Sequence, residues 1–142
     1  MKKPIYDPQG IWLLEELIKV AIADEKAARE RYRKLASMAK KEKDKKLLCD
    51  ISRDKKGHLK ALRCLYHALF GKEPHETEPC GERFGRFAET IGKSIVSEYR
   101  GISFYREILG RIEDDSMRMP VRRIMADKQR HAEILEGMLD HK

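Results

Sequence analysis

One stretch of this chain occurs twice, and that repeat decides most of what the chain can become. Asp54-Lys55-Lys56-Gly57-His58 returns as Asp127-Lys128-Gln129-Arg130-His131, so position 58 becomes position 131, an offset of 73 residues. Each copy is preceded by an isoleucine (Ile51, Ile124) and followed by a leucine (Leu62, Leu135). The same offset, without a gap, pairs Glu25 with Glu98, Tyr32 with Tyr105, Arg33 with Arg106, Ile18 with Ile91 and Glu16 with Glu89. A repeat this long covers two segments in each half, which predicts a duplicated helical hairpin.

Composition agrees with that reading. The 142 residues suit one domain with a real core. Hydrophobic residues make up 41% and charged residues 39%, as in long amphipathic helices. The net charge of +7 raises nucleic acid or an anionic membrane as partners. The basic residues are interleaved with acids, however, and only Lys40, Lys41, Lys43, Lys45 and Lys46 cluster, as a solvated turn. Neither partner is therefore expected. Cys49, Cys64 and Cys80 form no CxxC pair and are odd in number, which fits reduced thiols in a cytoplasmic protein. Glu15 and Glu16 break the apolar run after Lys2 and Lys3, so neither a signal peptide nor a membrane span is expected.

Residues 1–10 read as an irregular lead-in ending in the turn Asp7-Pro8-Gln9-Gly10. Apolar steps of three and four then predict four helices. The first covers about 11–39. The second opens at Asp44 as N-cap and stops at Gly71. The third covers about 84–112, and the fourth runs to about 139 with Pro120 in its first turn. The expected organisation is one domain, 1–142: a hairpin 11–71, a linker 72–83 long enough to cross the bundle, and a hairpin 84–139.

Six polar residues stand on the apolar stripes at matching heights: Glu25, Lys55, His58, Glu98, Lys128 and His131. One interior histidine is ordinarily a satisfied core residue. Six, repeated in register, predict a shared buried polar cluster.

These residues carry a resemblance to the rubrerythrin branch of the ferritin-like superfamily. The matching text is Asp-Glu-Lys-Ala-Ala-Arg-Glu-Arg-Tyr (24–32), Glu-Tyr-Arg-Gly-Ile-Ser-Phe-Tyr (98–105) and the two Asp-x-x-x-His stretches, so the likeness spans about 11–139. It implies an all-α, antiparallel, ferritin-like four-helix bundle. It also implies a diiron site with one Glu on each of two helices and a Glu-x-x-His on each of the others. The implied ligand positions are Glu25, His58, Glu98 and His131. Tyr32, Tyr105, Asp54 and Asp127 match surrounding residues that support the ligands. The departure is at the two bridging glutamates, where this chain has Lys55 and Lys128. A protonated lysine has three donors and no lone pair, so it does not ligate. The paired CxxC motifs of a rubredoxin-like module are also missing.

The expectation is a degenerate diiron site without metal or other cofactor, in which two ammoniums and two carboxylates, with the histidines neutral, replace the charge of two irons and four carboxylates. No catalytic residue is assigned on this reading. The alternative is a rubrerythrin-type oxidoreductase acting on peroxide or iron, with Glu25, His58, Glu98 and His131 holding iron or another divalent metal. A reactive buried lysine is a third reading, set lower because no substrate pocket is visible in the sequence. The resemblance also implies a homodimer, with Tyr6, Trp12 and Phe70 as candidates for its contact surface.

Overall fold

The computed structural model describes residues 10–78 and 81–139. Tyr6, Cys80 and the Asp7-Pro8-Gln9 turn lie outside the described residues. The described chain is all-α, with four helices: α1 (Ile11–Met38), α2 (Glu42–Phe70), α3 (Phe87–Leu109) and α4 (Asp115–Leu139). α1 packs along α2 and α3 along α4. The two hairpins then meet through α1 with α3 and α2 with α4, which leaves α2 and α3 on a diagonal.

The α2–α3 connection crosses that diagonal over α1. On the way Glu76 takes a two-pronged bond from Arg63 (2.7 and 2.8 Å) and an ion pair from Lys26 (3.3 Å). Lys26 also donates to the Thr77 carbonyl (3.2 Å), and Arg31 holds Glu82 at 3.0 Å.

Helix ends follow local chemistry, and three differ from the sequence expectation. α2 opens at Glu42 rather than behind an Asp44 cap. The Lys45 amide already bonds the Lys41 carbonyl, so Lys43, Lys45 and Lys46 belong to the helix and only residues 39–41 turn. Glu42 and Asp44 then lie in the first turn, where the helix dipole favours acids. α3 begins at Phe87, three residues late, because Arg86 is extended (φ −67°, ψ 156°), and it ends at Leu109. Pro120 is the sixth residue of α4, not in its first turn, and removes the amide that would reach the Ser116 carbonyl. The helix tolerates this behind a firm start, where Asp114 Oδ1 accepts from the Met117 amide (3.1 Å). Gly71 closes α2 as predicted, at φ 69°, a left-handed conformation that glycine adopts without strain.

The interior is layered. One apolar cluster gathers Leu14, Ile18 and Ile22 of α1 with Leu59, Leu62 and Tyr66 of α2, Tyr105 and Ile108 of α3, and Val121 and Ile124 of α4. A second gathers Ala28, Tyr32 and Leu35 with Leu48, Ile51, Ile91 and Leu135. Each fully buried Leu or Ile contributes on the order of 1.5–3 kcal/mol relative to exposure. Between the two clusters, at mid-height, Glu25, Lys55, His58, Glu98, Lys128 and His131 are all buried.

Candidate functional site: a buried ionic layer with an open slot

Helical periodicity brings the six polar residues together. Glu25 falls between Ile22 and Ala28 on the buried face of α1, and Glu98 stands at the same height on α3. Lys55 and His58 lie three apart on α2, as do Lys128 and His131 on α4, so each pair shares a face.

The strongest contacts run across the hairpins. Lys55 Nζ donates to Glu98 Oε1 and Lys128 Nζ to Glu25 Oε2, both at 3.0 Å. The lysine contacts within a hairpin are longer: Lys55 to Glu25 is 3.7 Å, while Lys128 reaches the Glu98 carboxylate of its own hairpin only at 3.8 Å. The supporting carboxylates cross over too. Asp127 meets His58 Nε2 at 2.7 Å, and Asp54 meets His131 Nε2 at 2.8 Å. Arg130 clips both acids together from outside, at 2.9 Å to Asp54 and 3.1 Å to Asp127.

The near-twofold symmetry breaks at two atoms. His58 Nδ1 bonds Glu25 Oε1 at 2.8 Å, whereas His131 Nδ1 stays 3.8 Å from Glu98 Oε1 and has no hydrogen-bond partner. Tyr32 donates to Glu98 Oε2 at 2.5 Å, whereas the buried Tyr105 hydroxyl has no partner. His58 faces a carboxylate with each ring nitrogen, Glu25 at Nδ1 and Asp127 at Nε2.

Burial alone would push the Glu25 carboxyl up, but Lys55, the His58 hydrogen bond and Lys128 outweigh it and hold it well below the usual carboxylate range. Glu98 is likewise held low, because His131, Lys55, Lys128 and the Tyr32 bond outweigh its burial. The two lysines diverge. Burial, together with the charge of Lys128, pulls Lys55 below an ordinary lysine despite its carboxylates. For Lys128 the charges of Glu25 and Glu98 overcome burial and raise it. Burial, with Glu98 beside Tyr32 and Glu25 beside Tyr105, pushes both phenols far up.

Three features escaped the sequence reading. A cavity of about 440 Å³ opens between α1 and α3 and reaches the ionic layer, with Lys55 and Lys128 among its lining residues. Small residues make the opening: Ala27 and Ala28 on α1, Ser97 and Gly101 on α3. The repeat itself could have signalled it, since Ala28 and Gly101 are equivalent positions. A Cβ on Gly101 would come within 2.9 Å of Lys128 Cδ, so glycine there lets the lysine lie across the slot. The second feature is the Arg130 clip. The third is a separate buried bond from Tyr66 to Glu15 (2.6 Å), which has no equivalent in the second hairpin.

Comparison with known proteins matches residues 16–84, from α1 through most of the α2–α3 connection, to the rubrerythrin family model. The uncharacterized protein YhjR of Bacillus subtilis (strain 168) is 30% identical over 117 residues, covering 81% of this chain and 79% of that protein. The chain belongs to the rubrerythrin family. A solved structure, a hypothetical protein from Pyrococcus furiosus, superposes with a TM-score of 0.78 at 26% identity, covering 89% of this chain and 88% of the other. The rubrerythrin match contains Glu25, Lys55 and His58; the second rubrerythrin-like half-site, Glu98, Lys128 and His131, follows from the internal repeat.

No group of three or more His, Cys, Asp or Glu side chains among the described residues is arranged to hold a metal ion. Nor is any described helix long and apolar enough to cross a membrane. Cys49 and Cys64 are exposed free thiols. Trp12 is partly exposed and Phe70 packs against the first apolar cluster.

Proposed function

We propose that this rubrerythrin-family protein works without a diiron centre, as a helical scaffold or interaction module whose Glu/Lys/His cluster stands where the family holds two irons. One observation carries the reading: each lysine ammonium lies 3.0 Å from the glutamate of the opposite hairpin. The donor set does not suit two irons. Glu25 and Glu98 are engaged by ammoniums, His58 spends both nitrogens on carboxylates, and the two bridging positions carry positive charge. A second reading, an iron or other divalent-metal oxidoreductase acting on peroxide or iron, has one observation in its favour. His131 Nδ1 is unpartnered and faces Glu98, leaving a two-donor fragment. We further propose a cytoplasmic homodimer, supported by the free thiols and the family.

Metal analysis of untagged protein, with ferrous iron added anaerobically, tests the main reading. Wild type should carry no stoichiometric iron, and its melting temperature should not respond to iron. Lys55→Glu with Lys128→Glu moves the site by four charge units and restores four carboxylates beside two histidines. That double variant should be destabilised by like-charge repulsion and rescued by iron, which binds only the folded state. Two irons per wild-type chain would overturn the reading.

A further inference from the structure

We infer that the slot between α1 and α3 is a binding site for a small monocarboxylate with a short apolar tail, its carboxylate held by Lys128, Lys55 and the Tyr105 hydroxyl. The inference rests on the metal-free reading, because metals in the layer would take the anion themselves.

The floor of the slot has more donors than acceptors. Lys55 and Lys128 each make one hydrogen bond within ordinary distance, leaving two N–H groups apiece. The carboxylate oxygens of Glu25 and Glu98 are taken by His58, Lys128, Lys55 and Tyr32. Tyr105, 2% exposed, lines the same cavity, and its hydroxyl is buried behind that wall near Glu25 without a hydrogen bond of ordinary geometry. A buried unpaired donor costs about 1–3 kcal/mol, so a donor-rich floor favours an occupant that brings acceptor oxygens.

The rest of the slot narrows the class. At the mouth Arg31 is paired with Glu82, while Arg100 has no ion pair among the described residues. Asp24, also at the mouth, has its carboxyl pushed up by burial and by Glu25, which weakens its opposition to an anion. Four acidic side chains line the slot, so a dianion such as phosphate is disfavoured relative to a single carboxylate. Ala27, Ala28 and Phe104 give apolar wall for a short hydrocarbon tail. The volume, about 440 Å³, suits a small ligand.

The test is calorimetric titration and thermal melting of the full chain, with metal content measured before and after chelation, at fixed ionic strength. The probes are acetate, butyrate, the neutral isostere butyramide, and inorganic phosphate. Butyrate should bind more tightly than acetate, by up to about fourfold per added methylene. Butyramide and phosphate should bind at least about tenfold more weakly than butyrate. Tyr105→Phe should weaken butyrate about tenfold while leaving the unliganded melting temperature unchanged or raised, since the hydroxyl has no partner to lose. Tyr32→Phe, which breaks a made bond, should lower the melting temperature and leave butyrate affinity within about twofold of wild type. No butyrate binding, equal binding of butyramide or phosphate, or an unaffected Tyr105→Phe would overturn the inference. Butyrate binding that vanishes on chelation, with metal recovered in stoichiometric amount, would instead overturn the metal-free reading beneath it.

Discussion

Replacing Glu25 with Gln keeps the side chain's shape and removes its charge, at a site 1% exposed. Lys128 at 3.0 Å, His58 at 2.8 Å and Lys55 at 3.7 Å then lose a counter-charge in a layer closed above and below by apolar clusters. Breaking a buried pair from one side costs about 3–5 kcal/mol, because an uncompensated charge stays behind. In a chain of this size the melting temperature should fall by roughly 10 °C or more. Lys128→Met should cost a similar amount from the other side. Combined, Glu25→Gln and Lys128→Met should be no worse than either alone, giving a coupling of about 3–5 kcal/mol in urea unfolding. Single losses below about 1 kcal/mol that simply add would refute the reasoning, since they would mean the layer is hydrated like a surface pair.

Two further outcomes follow from the same geometry. Glu25 and Glu98 titrate lower folded than unfolded, so their contribution is present above the ordinary carboxylate range and lost as pH falls; stability should decline below about pH 5 in equilibrium melts, and the decline should shrink in Glu98→Gln. In α3, Gly92→Ala has nothing within 4 Å of its Cβ and should gain about 0.5–1 kcal/mol of helix stability, whereas Gly101→Ala should lose stability by pushing Lys128 off Glu25; chemical denaturation of the two variants separates the cases.

The fold was legible because its signal is redundant. Apolar steps gave each helix, and the offset repeated the reading independently at Ile18 and Ile91 or Tyr32 and Tyr105. Boundaries were less legible where the competing caps were weak: Asp44 looked like a start, but Lys41 opened the helix without any side-chain cap. The polar layer could be placed because a glutamate or lysine on an apolar stripe is conspicuous. What the stripe could not reveal was the partner across the bundle. Whether Asp54 supports His58 or His131 depends on hairpin docking, which no local pattern encodes, and the structure pairs it with His131. The slot was hidden for a related reason, since Ala28 and Gly101 become a gap only when α1 and α3 face each other.

That crosswise pairing bears on why a bundle would keep four buried charges at all. Two leucine-rich faces can slide past one another by a turn, about 5.4 Å, and still bury similar area. Among the described helices the hairpins meet through α1 with α3 and α2 with α4, so docking is where slippage is cheapest. With Lys55 on Glu98 and Lys128 on Glu25, a one-turn slip breaks both 3.0 Å contacts and leaves each ammonium only the glutamate of its own hairpin, at 3.7 and 3.8 Å. Buried ions stripped of their best hydrogen bonds cost free energy, which disfavours the slipped state. Here the cluster acts as a register pin, a hypothesis separable from its contribution to stability. Replacing Glu25 and Glu98 by Leu and Lys55 and Lys128 by Met should leave unfolding free energy at or above that of Glu25→Gln, because no lone charge remains. The same variant should lose uniqueness: more than one set of backbone amide resonances, and disulfide cross-links between α1 and α3 that form equally well in register and one turn out. A single sharp spectrum with cross-linking only in the native register would show that apolar packing alone fixes the docking, and would leave the four charges to be explained by what enters the slot.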